Sequence, residues 1–322
     1  MQENATTERF TPSEPPARKG AAASTQNIIW MASYPKSGNT WVRVLLHNLL
    51  RELNEPNSEA QDINRLNETN MWEVRGAPYA RLLGKPVSEA SQREIAELRP
   101  RVQAELAASR PKPFLVKTHL SLGQEWQTPT INLDVTLAAV YVVRNPLDVA
   151  ISYAHHCAIR IDAMIESMAV AGFRTPGSGN NVYEVLGSWS EHVASWLGLN
   201  QRPVHILRYE DLIANPLRPL AQLARFLGLE AKDDQLKAAI AKSSFAEMSR
   251  QEAENGFLER PPTAKLFFRE GRAGQWRDVL TPTQIAEIIR THGPMMQRFG
   301  YLPPAAGARL QLSALTDANG RD

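Results

Sequence analysis

Four apolar runs of strand length, separated by stretches long enough for helices, constrain this chain more than any other feature. The runs are Ile28–Ser33, Phe114–Lys117, Leu137–Val143 and Val204–Arg208. Each is nearly continuous in apolar residues, as expected of strands buried on both faces. Helical patterning is expected over Thr40–Leu53, Glu89–Ala108, Pro146–Arg160 and Val182–Leu199. Beyond Asn215 the chain reads as largely helical, through Leu217–Leu227, Gln235–Ala241 and Thr283–Phe299. Strands alternating with helices predict an α/β protein with a mostly parallel central sheet flanked by helices. No linker divides the middle of the chain, so one domain over residues 27–301 is expected. Residues 1–26 and 302–322 read as tails.

In parallel α/β sheets, ligands bind at the carboxyl ends of the strands. Residues suited to chemistry fall at those ends: Tyr34 to Thr40, Lys117 to His119, Arg144, and Tyr209 to Asp211. The first of these segments runs strand, loop, helix. Gly38 permits close backbone approach, and Ser37, Asn39 and Thr40 stand where the helix begins. Free N–H groups at a helix start favour an anion, and Lys36 adds a charge. On its own, Lys-Ser-Gly fits an ordinary strand–helix turn equally well. The nucleotide-triphosphatase pattern GxxxxGK[ST] is missing, because Lys36 precedes the glycine. The third strand ends in Arg144 rather than in an acid that would hold Mg²⁺.

At the second strand end, Lys117 and His119 lie on one side of an extended chain. A cation beside a histidine disfavours its protonated form and keeps it a base. A lone strand-end histidine is nevertheless more often structural. Arg144 is suited to grip a phosphate beside a helix start; a salt bridge to Asp148 is the plainer reading.

These segments carry a family resemblance. Tyr34–Trp41 (YPKSGNTW) resembles the YPKSGTTW loop of the cytosolic-type sulfotransferases. Lys117–His119 (KTH) resembles their catalytic-histidine motif, and the stretch from Arg144 to Tyr153 their RNPxDVAxSY element. GSWSEHVASW and RYEDLIANP are similar to two further family segments, so five motifs stand in order over about residues 27–300. The resemblance implies 3′-phosphoadenosine 5′-phosphosulfate (PAPS) as donor, adenosine 3′,5′-bisphosphate (PAP) as product, and no metal. It implies that Lys36, Ser37, Gly38, Asn39 and Thr40 hold the 5′ end of the nucleotide. Trp41, Tyr209, Ser243 and Phe245 would then meet adenine, with Arg144 and Ser152 on the 3′-phosphate. His119 would deprotonate the acceptor, Lys36 would meet the leaving oxygen and Lys117 the transferring sulfuryl group.

Phe267–Trp276 (FFREGRAGQW) is similar to the family's RKGxxGDW segment, in which Arg269 and Gly271 fit. Glu270 replaces a lysine and is expected to turn away from phosphate, with Arg272 able to supply the missing charge. The dimer-forming segment of the family is matched by Arg277 and Thr281 but not by Pro282 and Ala286, which leaves a homodimer open.

The acceptor is expected to be a small molecule bearing a phenolic or alcoholic hydroxyl; an amine or sugar acceptor stays open. A phosphate-loop kinase using ATP and Mg²⁺ is the alternative from another enzyme class. A net charge of +2 gives no general reason to bind nucleic acid. No apolar run is long enough to span a bilayer, the N-terminus lacks an apolar signal core, and a cytoplasmic protein is expected. Cys157, the one cysteine, reads as a small buried apolar residue. The acceptor cavity is expected to draw on Trp72–Leu83, on His155–Gly179 (including His155 and His156) and on the segment before Phe267, with 172–181 as a mobile loop over it.

Overall fold

In the computed structural model, which describes residues 26–66, 70–178 and 180–303, the chain forms a single α/β unit. The expected tails therefore lie almost wholly outside the described residues. Five parallel strands make the central sheet: β1 (Ile28–Ser33), β2 (Asn70–Trp72), β3 (Phe114–Thr118), β6 (Thr136–Val143) and β7 (Val204–Arg208). A small antiparallel ribbon, β4 (Gln124–Glu125) with β5 (Thr128–Pro129), stands apart. The sheet order is β2-β3-β1-β6-β7. From β1 the chain goes out to the edge strand β2, returns to β3 beside β1, and then crosses to the other side at β6. That switch opens a crevice at the carboxyl edge of β1, flanked by the ends of β3 and β6.

Alternation along the strands explains the two-sided core. Ile28, Trp30 and Ala32 join Ala139, Tyr141 and Val143 under one layer, whereas Met31 joins Val140 and Val142 under the other. Both faces are dry because helices cover both. The first helix, α1 (Asn39–Asn54), supplies Val42, Leu45, Leu46 and Leu49 to the second layer. Two buried indoles on the first layer are met: that of Trp30 donates to Thr136 Oγ1 at 2.8 Å, and that of Trp196 to the Leu120 carbonyl at 2.9 Å.

Several helices begin later than periodicity predicts, and capping is the cause. Ser91 and Glu94 form a reciprocal box, so that helix spans Gln92–Ala108. Ser188 and Glu191 do the same for Trp189–Leu197, leaving Val182–Gly187 as irregular chain. The helix from Pro146 stops at Cys157, where Ala158 turns left-handed, and a separate helix runs Ile161–Ala169. Thr281 and Pro282 open the helix Pro282–Arg298 with a capping box to Gln284. Those two residues therefore serve helix initiation at the place where the family's dimer segment would lie. No helix of the described residues is long and apolar enough to cross a membrane.

Candidate active site

The loop after β1 is shaped as an anion cradle. Lys36 is left-handed (φ 65°), and Gly38 sits at φ 102° immediately before α1. A Cβ on Gly38 would lie 2.5 Å from the Tyr209 ring, so only glycine fits. No side chain caps α1. Asn39 instead donates to the Met31 carbonyl at 2.8 Å and ties the loop to its strand. Ser37 Oγ and Asn39 Oδ1 are buried without a hydrogen-bond partner. Uncapped helix N–H groups and the unmet Ser37 hydroxyl leave the loop able to take an external anion.

Arg144, at the end of β6, donates to the Lys36 carbonyl at 3.1 Å and to the Arg272 carbonyl at 3.3 Å. Its guanidinium carbon lies 4.3 Å from the centre of the Tyr209 ring, and its Nε is buried without a partner. Asp148 is engaged elsewhere, accepting from the backbone N–H groups of Gly274 (2.6 Å) and Trp276 (3.0 Å). The plainer reading of Arg144, a salt bridge to Asp148, is thus not what forms. Asp148 instead fastens the glycine-rich segment 269–276 beside Arg144.

In that segment Gly271 (φ 59°) backs onto Phe245, whose ring a Cβ would meet at 2.2 Å. Glu270 is sandwiched between Arg269 (3.0 Å) and Arg272 (2.7 Å). Arg272, then Arg269, hold its carboxyl below the usual range. Its charge is therefore answered locally, although the residue still lines the cavity. Ser152 is half-buried on the cavity wall. Trp41 stands edge-on to Tyr209 (5.7 Å) and donates to the Ser243 carbonyl at 2.9 Å. Ser243 does not line the cavity itself; its hydroxyl accepts from Asn48 at 2.9 Å, and it holds Trp41 from behind.

The tautomer of His119 is set by a contact with the main chain. His119 Nδ1–H donates to the Ser33 carbonyl at 2.8 Å, which leaves Nε2 as the lone-pair nitrogen. Burial, then Lys117, push its pKa well below the usual histidine value. The ring is therefore neutral at physiological pH and able to accept a proton. Behind it, Tyr141 donates to His192 Nδ1 at 2.8 Å, and His192 Nε2–H donates to the His119 carbonyl at 2.9 Å.

Two lysines complete the site. Lys36 Nζ lies 4.0 Å from the centre of the Phe267 ring and 3.4 Å from His156 Nδ1. Burial, then Lys117 and Arg144, lower its pKa to about 7. Lys117 Nζ donates to Glu259 Oε2 at 3.1 Å and lies 4.1 Å from the Trp72 ring centre. Glu259 is also gripped by Arg43 at 2.8 and 3.0 Å. Burial would raise its carboxyl, but Lys117 and Arg43 outweigh that and hold it low. Glu259 and Arg43 were not anticipated from sequence. The signal available was Arg43 itself, a charge set among Val42, Val44, Leu45 and Leu46 on a buried helix, which demands a carboxylate.

Lys36, Lys117, His119, Arg144, Tyr209 and Glu259 open onto one cavity of about 470 Å³. One end is lined by Gly38, Arg144, Tyr209, Phe245 and Gly271; Lys36, Lys117 and His119 line the same cavity, whose other end is mostly apolar. The second end draws on Trp72 and Val74, on Tyr153 to Met164, and on Phe173 to Ser178, much as the sequence led one to expect. His156 lines it, whereas His155 is exposed. Cys157 lies half-buried on the wall rather than in the core, with its thiol pKa raised by burial. The segment over the cavity is tied down: Thr175 N–H donates to the Glu184 carbonyl and Ser178 N–H to the Asn181 carbonyl.

An anion cradle, an arginine with an unmet donor, and a neutral histidine with two lysines define a group-transfer site for a phosphate-bearing nucleotide donor. Residues 26–300 match the sulfotransferase domain family; the chain belongs to it and is a PAPS-dependent sulfotransferase. It is 27% identical to bovine sulfotransferase 1A1 over 295 residues, 87% of this chain and 84% of that one. With canine sulfotransferase 1B1 the identity is 30% over 278 residues, 81% and 80% of the two chains. Among solved structures, the fold is shared with mouse sulfotransferase SULT7A1 complexed with PAP (TM-score 0.55, 20% identity, 90% of this chain and 89% of that one). It is shared equally with retinol dehydratase in a complex with retinol and PAP (TM-score 0.56, 19% identity, 84% and 81%).

Proposed function

We propose that this chain moves the sulfuryl group of PAPS to the hydroxyl of a small phenol or alcohol by in-line displacement, with His119 as general base. The observation that carries this reading is the His119–Ser33 bond, which leaves Nε2 as the lone-pair nitrogen of a residue that shares the cavity wall with Lys36 and Lys117. His119 Nε2 takes the acceptor proton as the acceptor oxygen attacks sulfur. The bond from sulfur to the bridging phosphate oxygen breaks, and its electron pair leaves with PAP. Lys36 meets the charge developing on that phosphate, and Lys117 steadies the sulfuryl oxygens in transit. The cradle and Arg144 hold the two phosphate ends, which fixes the sulfur before attack. Unmet donors and acceptors at Ser37, Asn39 and Arg144 fit such a nucleotide, and both solved relatives named above were complexed with PAP. The same reading takes residues 27–301 as the working domain of a cytoplasmic enzyme.

The test is transfer from sulfur-labelled PAPS to a panel of phenols, alcohols, amines and sugars. A labelled sulfate ester with equimolar PAP is expected. Transfer only to amines would overturn the hydroxyl acceptor, and consumption of ATP with Mg²⁺ in place of PAPS would overturn the donor.

A further inference from the structure

The acceptor end of the cavity is mostly apolar, with Trp72, Val74, Ile159, Met164, Phe173 and Val182 on its wall. Among its polar groups, two buried acceptors have no partner. Glu184 and Asn181 both line the cavity, and Glu184 Oε1 and Asn181 Oδ1 are buried without a hydrogen-bond partner. Leaving such atoms unmet costs about 1–3 kcal/mol each, more for a charged group.

The protein supplies Glu184 with no counter-ion of its own. The two cations that act on its carboxyl are Lys117 and Arg99. Lys117 is spent on Glu259 at 3.1 Å. Arg99 lies 3.6 Å from Glu73 and donates to the Tyr183 carbonyl at 3.2 Å. Among the described residues Glu184 forms no salt bridge, and burial pushes its carboxyl up, against the pull of Lys117, Arg99, the His119 backbone N–H and the Trp72 indole.

Its place beside the base is fixed by backbone. The Val182 N–H donates to the Val74 carbonyl at 2.9 Å, and the Ser121 N–H to the Val185 carbonyl at 2.8 Å. Glu184 is therefore held between the strand-end segment that carries His119 and the chain that follows Trp72. A molecule whose hydroxyl reaches His119 brings its remaining atoms past Glu184.

We propose that Glu184, seconded by Asn181, selects acceptors that carry a hydrogen-bond donor besides the sulfated hydroxyl, with an ammonium group favoured over a neutral one and a carboxylate rejected. This rests on the sulfotransferase reading of the same cavity. An apolar wall with one unpaired carboxylate fits an aromatic or aliphatic body bearing an amine. A carboxylate on the acceptor would face Glu184 directly and leave both charges buried.

The experiment is calorimetric binding to the PAP-loaded protein of four para-substituted phenols of similar size: tyramine, tyrosol, para-ethylphenol and para-hydroxyphenylacetate. Tyramine is expected to bind about tenfold or more tighter than para-ethylphenol, the worth of one hydrogen bond between charged groups, with tyrosol between them. Para-hydroxyphenylacetate is expected to bind weakest. In Glu184→Gln the advantage of tyramine should shrink to about twofold, because the neutral amide keeps the shape but not the charge. Equal affinity of tyramine and para-ethylphenol, a preference for the carboxylate, or an advantage that survives in Glu184→Gln would overturn the proposal. So would failure of all four to bind a protein that holds PAP. Failure to hold PAP would count against the sulfotransferase reading instead.

Discussion

Donor binding should draw a proton from solvent, and Lys36 is the group that takes it. Its amine titrates near 7 because burial, Lys117 and Arg144 all disfavour the charged form. A phosphate brought against it reverses the balance, since an adjacent anion restores the ammonium toward its ordinary value near 10.4. At about pH 8 the free enzyme holds Lys36 roughly 90% neutral, and at about pH 6 roughly 10% neutral. PAP binding should therefore take up about 0.9 proton at the higher pH; at the lower, Lys36 adds about 0.1, against a release from the half-protonated phosphates of PAP. The sign follows from the shift. The bound-state pKa is raised, so the favourable contribution is complete below the free-state value and fades as pH rises through it toward the bound-state value. Affinity should then fall by up to about tenfold per unit above roughly pH 7. Competing groups are quiet there. His156 sits at about 3, His119 lies well below the usual histidine value, and the phosphates are fully ionised near pH 8. The assay is calorimetry of PAP binding in buffers of differing ionisation enthalpy, with Lys36→Met as the control. An uptake below about 0.2 proton at about pH 8, or the same uptake in Lys36→Met, would refute the reasoning.

His119→Ala should lower kcat by about 10²–10⁴, the usual worth of a positioned base, with PAP affinity by calorimetry little changed. Arg144→Ala should weaken PAP binding by at least about tenfold, because a charged group that meets phosphate is lost together with its packing on Tyr209. Gly271→Ala should weaken PAP binding while leaving the thermal transition within a few degrees, because its Cβ displaces the Phe245 ring from the nucleotide end; unchanged affinity would deny Phe245 a part in that end. Glu259→Gln strands two buried cations and should destabilise the unliganded protein by about 3–5 kcal/mol, lowering its melting temperature by roughly 6–15 °C, with saturating PAPS restoring part of the loss.

What was legible in the sequence was what local pattern controls. β1 and β7 begin and end where their apolar runs do, because polar or turn residues bound each run. β2 was not legible: Asn70–Trp72 is three residues long, and it becomes a strand only by pairing with β3. The helix Phe245–Asn255 went unread although its cap, Ser244, lay inside a motif already singled out. At the site, Lys36, Lys117, His119 and Arg144 could be found because each follows a readable strand. Glu259 could not, since its segment carries no period and its meaning arises only when Arg43 and Lys117 converge on it. Ser243 illustrates a subtler gap. Sequence placed its hydroxyl toward the nucleotide, whereas folding turns it to Asn48 and gives the backbone carbonyl to Trp41.

The partner of the base is a main-chain atom. Ala32 pairs with Thr118 across β1 and β3, so the next residues, Ser33 and His119, meet by strand register alone. A carbonyl cannot be deleted by changing a side chain; any residue at position 33 would present the same oxygen. The proton on Nδ1 is thus insured against mutational drift in a way that a carboxylate partner would not be. What can undo it is a shift of one strand against the other, which would also carry every core side chain of β3 to the wrong face. Loss of the base's tautomer and loss of the fold are in this respect a single event.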